Sequence, residues 1–431
     1  MDFAFGAADE AFRREARGWL EEHLVGEFAA AAGRGGPGSE HERGGVRRAW
    51  ERELGRGGWI GIGWGVGGGG EGTGCGRGGC GGEGTGGGRG GYGVRRASLT
   101  QQVVWAEEYA RVRAPGRCGH VGENLLAPTL LAYGSKQQQD TFLPTIARGE
   151  ALWCQGYSEP GAGSDLAGVR TAAVRDGDGT YRVTGQKIWT SLAHEADWCF
   201  VLARTEPGSH RHQGLSLLLL PMDQPGRVEV RPIRQLTGTS EFNEVFFDGA
   251  RARGDHVVGG AGNGWRVAMG LLGFERGVAT LAQQIGFARE LEDVVRAALR
   301  GDGAADPVYR DRLVRQWAEL RVMRWNALRT LGSTGGPGDD AGAPSVAKLL
   351  WGGWHQRLGE LALAVRGTAA AVGPTDWRAD APYELDAAQR LFLFSRADTV
   401  YGGSDEIQRN IIAERVLGLP KEAKGPVRGT P

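Results

Sequence analysis

The chain switches twice between two periods of apolar residues. At its start, Phe12, Ala16, Trp19 and Leu20 recur at helical spacing with Glu and Arg between them, which predicts a helix over 8–24. The same spacing predicts helices over 99–112, 124–133 and 136–146, the last closed by Gly149. From 151 to 258 the pattern shortens to strand-length runs at 181–185, 198–203, 215–220, 227–232 and 243–248. Turns rich in Gly, Asp and Pro bound them, such as Asp176-Gly177-Asp178-Gly179 and Pro225-Gly226. After Asn263, a candidate N-cap, helical spacing returns over 263–300, 306–331, 345–366, 386–395 and 405–417, with Gly301 as the first stop. The expected architecture is an α+β multidomain chain in three parts. An N-terminal helical domain (1–150) precedes a middle antiparallel β domain (151–258) and a C-terminal helical bundle (259–431).

One segment breaks the pattern. Of the 33 residues from Gly61 to Gly93, 21 are glycine. Glycine loses the most backbone entropy on ordering and has no side chain to pack, so an irregular surface insert is expected there. Gly-x-Gly-x-x-Gly matches inside it, such as Gly74, Gly76 and Gly79, arise from composition. They follow no strand, open no helix and carry no Gly-Lys-Ser/Thr, so they mark no phosphate loop.

Composition removes several function classes. Basic and acidic side chains balance at 51 each, with no basic stripe, which argues against nucleic-acid binding. The first ten residues have neither a basic nor an apolar segment of the secretory type, and no run of about 18 apolar residues predicts a membrane span. The five cysteines, Cys75, Cys80, Cys118, Cys154 and Cys199, are odd in number and scattered, which fits reduced cytoplasmic thiols. Cys75 and Cys80 lack a second ligand pair at metal spacing, so no metal is expected. His120, His194 and His355 fall near element ends without ligand spacing and read as structural.

Four short motifs carry the chemistry: Tyr157-Ser-Glu-Pro-Gly-Ala-Gly-Ser-Asp165, Gly185-Gln-Lys-Ile-Trp-Thr-Ser191, Gly273-Phe-Glu-Arg-Gly277 and Tyr401-Gly-Gly-Ser-Asp-Glu-Ile-Gln-Arg-Asn410. In this order, within a helical–β–helical chain, they resemble the acyl-CoA dehydrogenase family over nearly the whole length, the glycine tract and the last dozen residues excepted. The resemblance implies FAD as cofactor. Gln155, Tyr157 and Ser158 are then expected at the isoalloxazine edge, Ser164 near the pyrophosphate, Trp189 against the flavin ring, and Ser191 near N5. Ser404 and Glu406 take the family's terminal flavin-contact positions. A flat cofactor with a polar rim needs this kind of aromatic wall with hydroxyls and amides around it.

The implied reaction is α,β-dehydrogenation of an acyl-CoA thioester to the trans-2-enoyl-CoA, with electrons passed to an electron-transferring flavoprotein. It needs a carboxylate base at the α-carbon and donors on the thioester oxygen. Many members carry that base as the Glu of Tyr-Glu-Gly-Thr. Here the position is Gly402, which keeps only the backbone N–H that contacts the thioester. A minority, including isovaleryl- and long-chain-type enzymes, place the Glu on the first long C-terminal helix, and the matching residue here is Glu275. It shares a helical face with Leu271 and Leu272, which favours a raised carboxyl pKa, while helical spacing alone equally describes a surface glutamate paired with Arg276 or Arg289; the family motif selects the catalytic role. Its neighbour Arg276 is a candidate substrate contact. Two other family features, Arg-x-x-Phe-Gly and Gly-Gly-x-Gly, are absent from 316–325 and 365–368. The expected assembly is a homodimer, a homotetramer, or a heterotetramer with a paralogue. Two rival readings follow: a half-site subunit that is inactive alone, and a flavin-dependent oxidase on the same fold.

Overall fold

The structure, a computed structural model, describes residues 5–36, 38–64, 91–274, 278–332, 342–373 and 385–420. Most of the glycine tract, Cys75, Cys80, Glu275 and Arg276 lie outside the described residues. The chain divides into two compact units, Met1–Ile285 and Gly286–Pro431.

The first unit opens with α1 (Ala7–His23), α2 (Gly26–Ala30), α3 (Gly44–Gly57), α4 (Leu99–Arg111), α5 (Ala127–Tyr133) and α6 (Lys136–Ala147). The apolar stripe of α1 meets Trp50, Trp59 and Trp105 in an aromatic core, where Trp59 and Trp105 stack 4.2 Å apart. The segment expected as helix from 124 begins with a π-wound turn, Gly122–Leu126, before α5.

Apolar spacing alone did not predict α3. Its buried face is Arg47, Trp50, Glu51 and Leu54, so two of the four inward positions are charged. Each charge is satisfied internally. Glu51 accepts two hydrogen bonds from Arg117 (2.7 and 3.0 Å) and one each from the amides of Cys118 (2.8 Å) and Gly119 (3.0 Å). Arg47 donates to the carbonyls of Gly116, Arg117 and Glu40. Burial pushes the Glu51 carboxyl up, but Arg117 and the two amides hold it below its ordinary value.

The β layer comprises β1 (Trp153–Gly156), β2 (Ala172–Arg175), β3 (Tyr181–Ser191), β4 (Trp198–Arg204), β5 (Leu215–Pro221), β6 (Val228–Ile233), β7 (Phe242–Ala252) and β8 (Val257–Val258). Among the described residues they form one sheet in the order β6-β7-β3-β2-β4-β5-β8, with β1 beside β4. Most pairings are antiparallel, as expected; β4 also pairs in parallel with β1 and β2. The unbroken apolar runs of β4 and β5 are explained by burial on both faces. Phe200, Leu202, Leu217 and Leu219 pack towards α5, α6 and α7 (Gly264–Phe274), while Cys199, Val201, Leu218 and Leu220 pack on the opposite side with Val183 and Val245.

The second unit holds most of α8 (Val278–Arg300), then α9 (Pro307–Gly332), α10 (Ala343–Ala364), α11 (Ala387–Phe394) and α12 (Asp405–Ile411), the last continued by a π-wound turn to Val416. The single helix expected over 263–300 is thus described as α7 and α8. Phe287, Leu291, Leu320, Trp354 and Leu358 form the core of this unit. His355 is buried among them. Its Nδ1 donates to Asp398 Oδ2 (2.5 Å) and its Nε2 to Glu290 Oε2 (2.8 Å), so both ring nitrogens carry protons. Burial disfavours that charge, yet the two carboxylates override it and raise the pKa to about 10.

A group raised in the folded state stabilises fully below its ordinary value, 6.5, and the contribution is lost as pH climbs through about 10. Thermal melts should therefore fall by roughly 5–10 °C across that window beyond the drop seen in His355→Gln. Equal slopes in the two proteins would contradict a charged His355.

Candidate functional site

The two motifs richest in expected cofactor contacts meet at one side chain. Along β3, Tyr181 and Val183 point inward, and the same parity puts Lys187 inside, where it is fully buried. Its Nζ donates to the Tyr157 carbonyl (3.0 Å), Glu159 Oε1 (2.8 Å) and the Leu202 carbonyl (2.8 Å), using all three protons. Glu159, also buried, accepts in addition from the amides of Arg170 (2.6 Å) and Thr171 (2.9 Å). Burial pushes its carboxyl up, but Lys187 and those amides hold it below its ordinary value. The Ile188 amide completes the junction by donating to the Ser158 carbonyl (2.9 Å). The 157–165 segment is thereby fastened to β3, with a small turn closed by reciprocal backbone bonds between Glu159 and Ala162.

The same junction reorients β3. Lys187 pairs with Val245 and Thr190 with Asn243, so three steps on β3 match two on β7, a β-bulge. Trp189 takes up the extra residue at φ 59°, a left-handed conformation unfavourable for a bulky side chain. Its indole is 55% exposed, touching Phe242 edge-on at 6.3 Å. Strain that exposes a tryptophan is expected where a ligand covers the ring. Asn243 steadies the bulge by donating to the Thr190 carbonyl (3.0 Å).

Six of the expected contacts lie around this junction. Gln155 lies near the end of β1, Tyr157 is buried against Phe200, and the Ser158 carbonyl accepts from the Ile188 amide. Ser164 is exposed at the turn's exit, and Ser191 follows the bulge. A Cβ added at Gly161 or Gly163 meets nothing within 4 Å, so the turn opens onto free space. The Thr190 hydroxyl is buried without a hydrogen-bond partner. An exposed indole, several hydroxyls, an unpartnered polar atom and an open turn fit a flat dinucleotide-type cofactor such as FAD.

Gly402, Ser404 and Glu406 form a separate group in the second unit. Gly402 and Gly403 have φ of 65° and 86°, two consecutive left-handed residues. Ser404 caps α12, accepting from the Ile407 amide (3.4 Å), and Glu406 is exposed in its first turn. The motifs as read from sequence give Glu159 and Lys187 no role. A lysine on the inward parity of a strand was the available signal. Cys118, Cys154 and Cys199 are free and buried, and no helix among the described residues is long and apolar enough to cross a membrane.

Lys187→Met leaves Glu159 buried without its cation and should cost roughly 3–5 kcal/mol. Adding Glu159→Leu should recover much of that loss in denaturant melts. A double variant no more stable than Lys187→Met would exclude the coupling.

Comparison with known proteins gives one consistent result. The family models for the N-terminal, middle and C-terminal domains of acyl-CoA dehydrogenase match residues 86–150, 154–250 and 262–417. Acyl-CoA dehydrogenase IpdE1 of Mycobacterium tuberculosis is 54% identical over 416 residues, covering 96% of this chain and 99% of its own length. The solved structure "Tcur3481-Tcur3483 steroid ACAD" is 28% identical with a TM-score of 0.79, covering 98% of this chain and 100% of its own. The ChsE4-ChsE5 complex from Mycobacterium tuberculosis is 29% identical with a TM-score of 0.76, covering 98% and 100%.

Proposed function

The chain belongs to the acyl-CoA dehydrogenase family, and we propose that it binds FAD and oxidises the CoA ester of a bulky, steroid-like acid to the trans-2-enoyl-CoA. The observation that carries the FAD assignment is the Lys187 junction, which sets Tyr157, Ser158 and the strained, exposed Trp189 side by side. Gln155, Tyr157, Ser158, Ser164, Trp189 and Ser191 are the proposed flavin contacts in the first unit. Ser404 and Glu406 are proposed as flavin contacts on their motif positions alone. FAD, when bound, supplies the acceptor for the β-hydrogen as hydride. The chain's own residues do the rest: Glu275 takes the α-proton, the Gly402 N–H holds the thioester oxygen, and Arg276 contacts the substrate. The three-part division at 1–150, 151–258 and 259–431 belongs to the same reading, as does an electron-transferring flavoprotein as final acceptor.

The steroid-like acyl group is supported by the name of a relative of similar fold, a steroid ACAD. A heteromeric assembly has support of three kinds. ChsE4-ChsE5 is a complex. In this chain α9 buries Leu313, Gln316, Leu320, Met323 and Ala327 on one face, and exposes Val314, Trp317, Val322 and Trp325 on the other. A second apolar face with two half-exposed tryptophans suits a subunit contact. The left-handed, carboxylate-free Gly402 also favours a subunit that works with a paralogue.

The test is the absorption spectrum of the purified protein, alone and co-expressed with a paralogue, on adding a steroidal acyl-CoA. Flavin absorbance should bleach without hydrogen peroxide release, and Glu275→Gln should slow bleaching by about 100-fold or more. Trp189→Ala should lower flavin occupancy. Undiminished bleaching would remove Glu275 from the base role, and a colourless protein in both preparations would overturn the proposal.

A further inference from the structure

The Gly402–Gly403 turn has a conformational problem. Two left-handed glycines in a row have no side chains to hold them, and glycine pays the largest backbone entropy on ordering. A loose turn cannot keep an amide aimed at a substrate oxygen, since a misplacement of about 1 Å is costly. Both flanks of the turn are nonetheless gripped within the second unit.

On the upstream side, the Tyr401 hydroxyl donates to Asp398 Oδ1 (2.6 Å). Asp398 is almost fully buried, with its other oxygen on His355 and its backbone carbonyl accepting from Lys348 Nζ. The Lys348 ammonium also lies over the Tyr401 ring, 4.9 Å from its centre, and over Trp351 at 4.1 Å. His355 reaches back to Glu290 on α8. On the downstream side, Gln408 is buried, and its Nε2 donates to the carbonyls of both glycines, Gly402 (3.1 Å) and Gly403 (3.3 Å). The Asp405 amide closes the loop onto the Thr399 carbonyl (3.1 Å). The Gln408 bonds fix the 402–403 and 403–404 peptide planes downstream of Gly402, and the Tyr401 side chain fixes residue 401 upstream, so the 401–402 peptide that carries the Gly402 N–H is held between two anchored neighbours.

We infer that Tyr401 and Gln408 are positioning residues, a clamp that keeps the Gly402 amide directed at the thioester carbonyl oxygen of the substrate. Asp398, oriented by His355, anchors one jaw. The inference rests on the reading of Gly402 as the acyl-CoA contact and adds how a residue without a side chain is held there. Neither Tyr401 nor Gln408 touches a reacting atom in this scheme.

The experiment uses Tyr401→Phe, which removes one hydroxyl, and Gln408→Leu, which keeps the volume and removes both carbonyl contacts. Two readouts are taken on the full-length protein in its flavin-loaded form. The first is amide hydrogen exchange over 399–408. The second is affinity for a steroidal acyl-CoA and for the matching S-alkyl-CoA thioether, which lacks the carbonyl oxygen. The clamp predicts faster exchange in the turn, by roughly fivefold to tenfold for each hydrogen bond lost, and so more in Gln408→Leu than in Tyr401→Phe. It also predicts a similar loss of affinity for the thioester with the thioether unchanged. Unchanged exchange in both variants overturns the clamp whatever the substrate is. Faster exchange with equal effects, or none, on the two ligands overturns the positioning role and leaves a merely structural one. A wild-type protein that binds neither ligand overturns the acyl-CoA reading itself, and the positioning role falls with it. Should Gln408→Leu fail to fold, the milder Tyr401→Phe decides.

Discussion

The ammonium of Lys187 is the point on which the geometry of the first unit's candidate site depends. It is fully buried and ties three stretches of chain together: the Tyr157–Glu159 corner, β3 itself, and β4 through the Leu202 carbonyl. Burying a charge costs several kcal/mol unless geometry and further hydrogen bonds offset it. Here every proton of the ammonium has an acceptor, and the Glu159 carboxylate has two backbone amides besides. A hydrophobic pair of the same volume would hold the strands together equally well. It would not dictate where the Tyr157 carbonyl sits or how the 157–165 turn leaves the sheet. The ion pair contributes position more than stability, and position is what a cofactor rim requires.

The bulge in β3 follows from the same anchor. With Lys187 held inside and Thr190 buried again three residues later, strict alternation cannot be kept, and one residue must be extruded. Trp189 is that residue, and its left-handed backbone is the strain left over. The second unit solves a related problem differently. Its turn at Gly402–Gly403 is unstrained because glycine accepts positive φ, so the difficulty is looseness rather than strain. The remedy is again a charge chain, Glu290–His355–Asp398, buried at His355 and Asp398 and ending on a tyrosine hydroxyl. In both units a motif of small or polar residues is placed by charges that the motif itself does not advertise.

This explains which parts were legible from residues alone. The helical–β–helical order was visible because apolar period and burial agree in most elements, and β4 and β5 read as unbroken apolar runs because the sheet is covered on both faces there. Helix α3 was not visible, since Arg47 and Glu51 occupy its inward positions and glycines open and close it. The partners that make those charges tolerable, Arg117 and the 116–119 backbone, lie some 66 residues on in sequence. No local pattern predicts such a match. The 157–165 and 185–191 segments were legible as motifs, yet the bulge was not, because neither Gly nor Pro marks it. Likewise His355 read correctly as structural, while its two carboxylate partners, one on α8 and one after α11, required the fold.

The glycine at 402 can now be connected to the proposed relocation of the catalytic base. A side chain at φ near +65° meets its own backbone, a cost of roughly 1–2 kcal/mol for an L-residue, and would have to be held there while also carrying a desolvated carboxylate. Glycine removes that strain but gives up the carboxylate, so the proposed reaction takes its base from elsewhere, and Glu275 is the residue that the motif order offers. What remains at 402 is a single N–H, whose use depends entirely on its direction. The clamp of Tyr401 and Gln408 gives that direction a cause. Under this proposal base, turn conformation and clamp are one linked choice rather than three, and a carboxylate restored at 402 would inherit a backbone shaped for its absence.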